Sequence, residues 1–234
     1  MFDKIEVKQD HLHITPSKFS KSLPLLVMSH GSGGISDIDI DFAKIACASG
    51  YQVAIVDHFT PRGVKHQIWH DIENFYPNFD DRAYDIYKVS SQYDVNKKLI
   101  FGISAGGTAA LSVSKDFEKT FCVYPALVAV TEQMLEATNV TIVTGNDDDW
   151  TPPEQAQRYA EHVAVDLNIV DGYHGFLNPR ENRYLEKVLS LRGIELDIPF
   201  LGTMQEIKYA KGVTQQYNIH SRLYTEQKFA KWLS

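Results

Sequence analysis

Short apolar segments of strand length alternate with segments of helical periodicity along most of the chain. The segment 23–29 is almost continuously apolar, which is typical of a strand buried on both faces of a parallel sheet. The next segment, 37–49, repeats apolar residues at helical spacing, with Ser36 as its N-cap and Asp39 at the capping-box position. This alternation predicts an α/β fold with a mostly parallel, twisted sheet and helices on both faces.

The other predicted elements continue this pattern. Strands are predicted at 4–9, 11–15, 51–56, 97–103, 121–124, 140–144 and 166–170, and helices at 80–93, 106–114, 152–164 and 222–233. Thr151 is the predicted N-cap of its helix, because Pro152 and Glu154 follow at the first and third helical positions. Residues 180–191 are predicted to be partly helical. Because 234 residues can enclose one sizeable core, we predict a single domain over residues 1–234.

Charge and apolar content exclude several classes of protein. The chain has 23 Lys and Arg against 30 Asp and Glu, a net charge of −7, with no basic run that would indicate binding to nucleic acid or to an anionic membrane surface. No apolar run approaches the ~20 residues of a membrane-spanning helix, and the N-terminus does not resemble a signal peptide. The two cysteines, Cys47 and Cys122, lie in apolar segments and are predicted to be buried free thiols. These features predict a cytoplasmic protein.

Residues 102–106 match the pattern G-x-S-x-G, with Ser104 at its centre. The motif follows a predicted apolar strand and precedes a helix rich in small residues, the context of a nucleophile elbow. Such a turn exposes the serine hydroxyl at the carboxyl edge of the sheet, and glycines are needed where Cβ atoms would collide. The helix N-terminus then directs partial positive charge towards a developing anion. The alternative interpretation is a glycine-rich helix start with a structural role only.

A serine nucleophile needs a base, and the base needs a carboxylate that orients it. After an elbow of this kind the acid comes next in the chain and the histidine last. Asp147, Asp148 and Asp149 follow the predicted strand 140–144, so one of them is the candidate acid. A metal site is the alternative, although no histidine lies close in sequence. His174 follows the next predicted strand in a glycine-containing loop and is the candidate base.

An oxyanion hole needs two backbone N–H groups aimed at one point. Ala105, directly after the candidate nucleophile, is expected to supply one. The second is expected from the loop 30–34, His-Gly-Ser-Gly-Gly, which follows the predicted strand 23–29. Glycine-rich loops also bind phosphate groups, but neither G-x-x-x-x-G-K-[ST] nor G-x-G-x-x-G occurs here. We therefore predict no nucleotide cofactor.

Taken together, these motifs resemble those of the α/β-hydrolase superfamily, and within it the dienelactone hydrolase-like family. The resemblance extends from about Leu23 to the C-terminal helix. Its motifs, in chain order, lie at 30–34, 57–63, 102–107, 145–152 and 173–176. The family pattern G-x-x-D-x-x-x-P falls on Gly145, Asp148 and Pro152, so the resemblance implies Asp148 as the acid. It also implies the α/β-hydrolase fold.

The resemblance implies a mechanism in which His174 takes the Ser104 proton during attack on an acyl carbonyl. The N–H groups of Ala105 and Ser32 would hold the oxyanion, with no cofactor and no metal. Dienelactone hydrolases carry cysteine at the elbow, whereas this chain has serine. This difference favours a general carboxylic ester, lactone or thioester as substrate. Acyl transfer, peptide hydrolysis and ligand binding without turnover are the alternatives that use the same residues.

Three further residues are candidates for substrate binding. Arg62 lies in a loop at the same sheet edge, where it would clamp a substrate carboxylate or, alternatively, pin its own loop through backbone carbonyl groups. Trp69 lies among aromatic residues of the segment 58–79, which would line an acyl pocket or form a small core of its own. Trp150, next to the candidate acid, would form a pocket wall. The long segment 177–221 is predicted to cap the site or to form a homodimer interface.

Overall fold

The architecture is an eight-stranded sheet covered by helices on both faces, together with a separate sheet of two strands. The computed structural model describes residues 2–65, 76–127, 130–190 and 210–234. The large sheet contains β1 (Phe2–Val7), β2 (His11–Pro16), β3 (Leu25–Ser29), β4 (Gln52–Val56), β5 (Lys98–Ile103), β6 (Lys119–Val123), β7 (Val140–Gly145) and β8 (Val165–Val170). The helices are α1 (Asp37–Ala48), α2 (Phe79–Ser90), α3 (Ala105–Ser112), α4 (Glu132–Leu135), α5 (Pro153–His162) and α6 (Ile219–Leu233).

The strand order of the large sheet is β1-β2-β4-β3-β5-β6-β7-β8. Strands β3 to β8 are parallel to one another, and β1 and β2 form an antiparallel edge. The predicted fold class is therefore confirmed. Because parallel strands end at the same edge, the loops that follow β3, β5, β7 and β8 lie together at the carboxyl edge of the sheet, where open α/β sheets bind their ligands.

The two faces of the sheet bury separate cores, and β3 shows how one strand serves both. Leu26 and Met28 belong to the core beneath α1 and α6, whereas Leu25 and Val27 belong to the core beneath α2, α3 and α5. Alternate side chains of a strand point to opposite faces, so a strand covered on both sides must be apolar at every position.

Local capping positions the first helix as the sequence predicts. The backbone N–H and the hydroxyl of Ser36 donate to Asp39 Oδ2 over 2.8 and 2.7 Å, and Asp39 is buried.

Both cysteines are free and buried, as predicted. Burial raises the pKa of the Cys47 thiol to about 11. Within the described ranges, no helix has the length and apolar character needed to cross a bilayer.

The structure corrects two local predictions. Residues 180–191 were predicted as partly helical, but β9 (Asn182–Ser190) is a strand that pairs antiparallel with β10 (Ala210–Gln216). The pairing joins segments distant in sequence, so a local pattern carries little information about it. Thr151 is not a helix cap, because Pro152 occupies the N-cap position of α5 and the Thr151 hydroxyl bonds elsewhere.

A close backbone approach joins β5 to α3 at the centre of the sheet. A Cβ atom on Gly106 would lie 2.1 Å from the Ser29 carbonyl oxygen, at the end of the adjacent strand. One on Gly102 would lie 2.3 Å from the Gly106 carbonyl oxygen. Side chains at these two positions would push α3 away from the sheet, so both glycines of the motif are required by packing.

We expect Gly106→Ala to lower the free energy of unfolding by about 1–3 kcal/mol, because the added methyl group must displace the end of β3. Urea denaturation measures this change. Gly33→Ala is the matched control, since a Cβ there meets nothing within 4 Å. Equal stability of the two variants would contradict the packing argument.

Candidate active site

Ser104 occupies the sharp turn between β5 and α3 in a strained backbone conformation. Its φ of 53° and ψ of −121° are uncommon for a residue with a side chain. Such strain costs on the order of 1–3 kcal/mol and needs support from the surroundings. The Ser104 N–H donates to the Val123 carbonyl over 2.9 Å, and the Ser104 carbonyl accepts from the Gly107 N–H over 2.8 Å. These two hydrogen bonds hold the strained turn in place, and the turn positions the Ser104 hydroxyl at the carboxyl edge of the sheet.

A chain of hydrogen bonds connects the Ser104 hydroxyl to a histidine and a carboxylate. Ser104 Oγ lies 3.2 Å from His174 Nε2, and His174 Nδ1 lies 2.9 Å from Asp148 Oδ2. All three residues are buried. The structure thus brings together the three residues that the sequence analysis singled out, in the order serine, histidine, aspartate.

The three neighbouring carboxylates have three different environments. Asp148 is buried, and its Oδ1 accepts the backbone N–H groups of Trp150 and Thr151 over 2.9 and 2.7 Å. Asp147 is exposed. Asp149 accepts the backbone N–H of Thr214 over 2.8 Å and so connects this loop to β10. Only Asp148 reaches the imidazole of His174.

Thr151 is a member of the site that the sequence analysis missed. Its hydroxyl lies 2.9 Å from Asp148 Oδ2, 3.0 Å from His174 Nδ1 and 3.3 Å from the Tyr124 carbonyl oxygen. The hydroxyl can donate to the carboxylate while it accepts from the ring. The available sequence signal was the spacing Asp-x-x-Thr, which allows the aspartate to accept the threonine N–H in a tight turn.

Two aromatic rings flank His174. The Tyr124 ring centroid lies 4.5 Å from that of His174, and the Trp150 centroid lies 4.7 Å away. Trp150 also lines the cavity above Ser104, at the position predicted for a pocket wall. These contacts restrict the imidazole plane and shield it from water.

A cavity of about 350 Å³ opens over the Ser104 hydroxyl. The loop 31–34 forms one side, and Arg183 and Gln215 of the small sheet form another. Gln215 also makes a bridge to His174, so β10 runs directly beside the candidate base. The cavity has the size of a small-molecule site. Among the described residues, no group of three His, Cys, Asp or Glu side chains is arranged to hold a metal ion.

The loop after β3 is held from its buried side. His30 Nδ1 lies 2.6 Å from the Gly31 carbonyl oxygen, and Arg82 donates to the His30 and Gly31 carbonyl oxygens over 2.8 and 3.5 Å. Arg82, on α2, is fully buried. Because C=O and N–H point in opposite directions in a trans peptide, these bonds turn the Ser32 N–H away from His30.

Arg62 belongs to this supporting network. It makes two hydrogen bonds to Asp85, of 2.6 and 3.0 Å, and donates to the His58 carbonyl over 3.1 Å. Asp85 also accepts from His58 Nδ1 over 2.9 Å. Arg62 is not among the described residues that line the cavity. This geometry favours the alternative interpretation, in which Arg62 pins its own loop. Trp69 lies outside the described residues.

The hydrogen bonds of His30 and His58, two of the buried histidines, fit the neutral form of each ring. His58 donates from Nδ1 to Asp85 and accepts at Nε2 from the Ser29 hydroxyl over 2.9 Å. His30 donates from Nδ1 to Gly31 and accepts the His58 backbone N–H at Nε2 over 3.3 Å. Burial and the nearby charge of Arg82 hold the pKa of each imidazole well below its usual value.

We expect nitrogen-15 NMR to show both His30 and His58 as neutral Nδ1–H tautomers at about pH 5, where an ordinary imidazole of pKa ~6.5 is mostly protonated. The unfolded chain takes up protons at these positions, so the two residues lower the stability of the fold as the pH falls below ~6.5. Protonation of either ring in the folded protein at this pH would contradict the proposed network.

Comparisons with known proteins agree with this architecture. A candidate dienelactone hydrolase from Klebsiella pneumoniae subsp. pneumoniae superposes with a TM-score of 0.67 at 14% identity, covering 95% of this chain and 91% of its own. The dienelactone hydrolase-like promiscuous phosphotriesterase P91, from metagenomic libraries, gives 0.65 at 12% identity, with 100% and 97% covered. Est1E from Butyrivibrio proteoclasticus gives 0.55 at 13% identity, with 74% and 89% covered.

Comparison of the amino-acid sequence alone identifies no family and no relative. No protein-family profile matches the chain, and no curated protein matches it. The likeness is therefore one of three-dimensional structure. The chain has the α/β-hydrolase fold, as shown by its strand order, the turn at Ser104 and its structural neighbours.

Proposed function

We propose that the protein is a serine hydrolase that cleaves a carboxylic ester, lactone or thioester through an acyl-enzyme on Ser104. The observation that carries this proposal is the continuous hydrogen-bond chain from Ser104 through His174 to Asp148, directly below an open cavity. A buried serine, histidine and aspartate in this arrangement form the unit that activates a serine hydroxyl.

In the first step, His174 Nε2 takes the hydroxyl proton as Ser104 Oγ attacks the acyl carbon. Asp148 accepts the Nδ1–H bond and stabilises the resulting imidazolium. The tetrahedral intermediate then expels its alcohol or thiol, which takes the proton from His174. Water attacks the acyl-enzyme by the same route and regenerates the free Ser104 hydroxyl.

Two backbone N–H groups are proposed to stabilise the tetrahedral oxyanion. Ala105 is the first residue of α3, so its N–H has no partner within the helix and adds to the positive end of the helix dipole. Ser32 lines the cavity, and its N–H is directed by the bonds that hold the Gly31 carbonyl on the opposite side. The network of His30 and Arg82 thus acts as a support for the oxyanion hole.

The segment 177–221 is proposed to cap the site. Asn178, Glu181, Arg183 and Gln215 all line the cavity, so the described parts of this segment contribute to the pocket wall. Residues 191–209 lie outside the described residues. The segment would therefore contribute to the choice of acyl substrate. A homodimer interface on the same segment stays a prediction.

Intact-mass spectrometry after treatment with a fluorophosphonate tests the proposed nucleophile. We expect one covalent adduct on the wild-type protein and none on Ser104→Ala. Hydrolysis of a panel of esters, thioesters and lactones, followed by product analysis, then separates hydrolysis from acyl transfer. A folded wild-type protein that forms no adduct would contradict the proposal and favour ligand binding without turnover.

Asp148→Asn should lower kcat by about 10³–10⁴-fold, because an amide cannot stabilise the imidazolium and favours the wrong tautomer of His174. Steady-state kinetics on an ester from that panel measures this loss. The exposed neighbouring variant Asp147→Asn is the matched control and should stay close to wild type. The reverse result would assign the acid to Asp147.

Thr151→Val should lower kcat by about 10–100-fold with little change in KM, since it removes one hydrogen bond to the Asp148 carboxylate without touching the cavity wall. Thr151→Ser keeps the hydroxyl and should recover most of the loss. A valine variant with the wild-type kcat would show that the hydroxyl does not position His174.

A further inference from the structure

Tyr124, directly after β6, has a backbone conformation that is rare for a bulky residue. Its φ is 36°, in the left-handed region, where aromatic residues are strained. Two contacts hold it there. Its N–H donates to the Val143 carbonyl over 2.8 Å, and its carbonyl oxygen lies 3.3 Å from the Thr151 hydroxyl oxygen. Strained backbone conformations of this kind cluster at functional sites.

The ring of Tyr124 lines the active-site cavity. It packs between His174 and Phe176, with centroid distances of 4.5 and 5.1 Å. Its hydroxyl makes no hydrogen bond to any group in the part of the chain that the structure describes. Burial and the carboxylates of Asp148, Asp39 and Glu181 raise the pKa of this phenol, so it keeps its proton. Tyr124 therefore has an unused donor in the wall of the cavity.

Asp39, at the start of α1, has an unused acceptor in the wall of the same cavity. Its Oδ2 is fully engaged by Ser36, whereas Oδ1 has no hydrogen-bond partner among the described residues. The residue is only 1% exposed and lines the cavity. Burial raises the pKa of this carboxyl to about 6, so it is mostly ionised above neutral pH. An unpaired buried oxygen is costly and calls for a donor.

We propose that Tyr124 and Asp39 together bind a hydroxyl group of the substrate. The Tyr124 O–H donates to the hydroxyl oxygen, and that hydroxyl donates in turn to Asp39 Oδ1. This inference rests on the proposed hydrolase function and narrows its substrate class to hydroxy-substituted esters. Tyr124 and Asp39 are then specificity-determining residues.

The charges in the cavity select a hydroxyl over other polar groups. A substrate carboxylate would accept from Tyr124 but would be repelled by the carboxylate of Asp39, and Arg183, which also lines the cavity, already pairs with Glu181 over 2.9 Å. An ammonium group would pair with Asp39 but would leave the Tyr124 proton without an acceptor. A hydroxyl is both donor and acceptor through one oxygen, so it satisfies both protein groups.

Matched esters test this proposal. Ethyl butyrate carries no hydroxyl, ethyl β-hydroxybutyrate carries one on the acyl side, and ethylene glycol monobutyrate carries one on the alcohol side. We expect one of the hydroxylated esters to have a kcat/KM about 10–100-fold above that of ethyl butyrate. Which ester is preferred identifies the side of the scissile bond that faces Tyr124.

Tyr124→Phe and Asp39→Asn should each reduce this preference by about tenfold or more, and the double variant should reduce it little further, because one hydroxyl bridges both groups. Phenylalanine keeps the ring beside His174, and asparagine keeps an acceptor for Ser36. Asp37→Asn, on the exposed side of the same helical turn, is the matched control and should keep the full preference.

A wild-type protein with no preference, or a preference that survives in both variants, would overturn the proposal. So would a stronger preference for the aminoethyl ester of butyric acid. If fluorophosphonate labels Ser104 and the protein hydrolyses ethyl butyrate but shows no preference for a hydroxylated ester, this inference is wrong. The proposed hydrolase function is then still supported. No labelling and no turnover of any ester would overturn both.

Discussion

The close approach of α3 to the ends of β3 and β5 is the contact on which the rest of the site depends. It is permitted by the missing side chains at Gly102 and Gly106, where a Cβ would lie 2.3 and 2.1 Å from backbone oxygens. Because the helix starts so close to the sheet, Ser104 is left in a strained turn with its hydroxyl at the carboxyl edge. The imidazole of His174 and the loop 31–34 must both lie near the Ser104 hydroxyl oxygen. The parallel strands make this possible because the loops that follow them lie at the same edge of the sheet.

Two hydrogen-bond networks meet at this point from opposite sides. One runs through His174, Asp148 and Thr151 and orients the candidate base. The other runs from Arg82 and His30 to the Gly31 carbonyl and orients the loop proposed to bind the oxyanion. Both are almost completely buried. Loss of a hydrogen bond to a buried polar group costs free energy, so the buried hydrogen bonds of these networks hold their members in a single geometry.

Local sequence patterns predicted the parts of this architecture that local interactions determine. The apolar β3, the Ser36–Asp39 capping box and the turn at Ser104 each follow from residues adjacent in the chain. The predictions failed where a distant partner decides the outcome. Residues 182–190 form a strand because β10 pairs with them, and the Thr151 hydroxyl bonds to Asp148 and His174 instead of capping α5.

The sequence by itself determined the order of strands and helices and the three residues that meet at the carboxyl edge. The order of elements follows from hydrophobic periodicity, and Ser104 and His174 follow from glycine motifs after predicted strands. The choice of Asp148 among three adjacent aspartates came only from the resemblance to the dienelactone hydrolase-like family. Only the tertiary structure decided which polar groups are paired and which are not. Arg62 is engaged by Asp85, whereas the Tyr124 hydroxyl and Asp39 Oδ1 have no hydrogen-bond partners among the described residues, and both residues line the cavity. Hydrogen-bond satisfaction depends on distances between elements remote in the chain, so it is decided only when the sheet and its helices have packed.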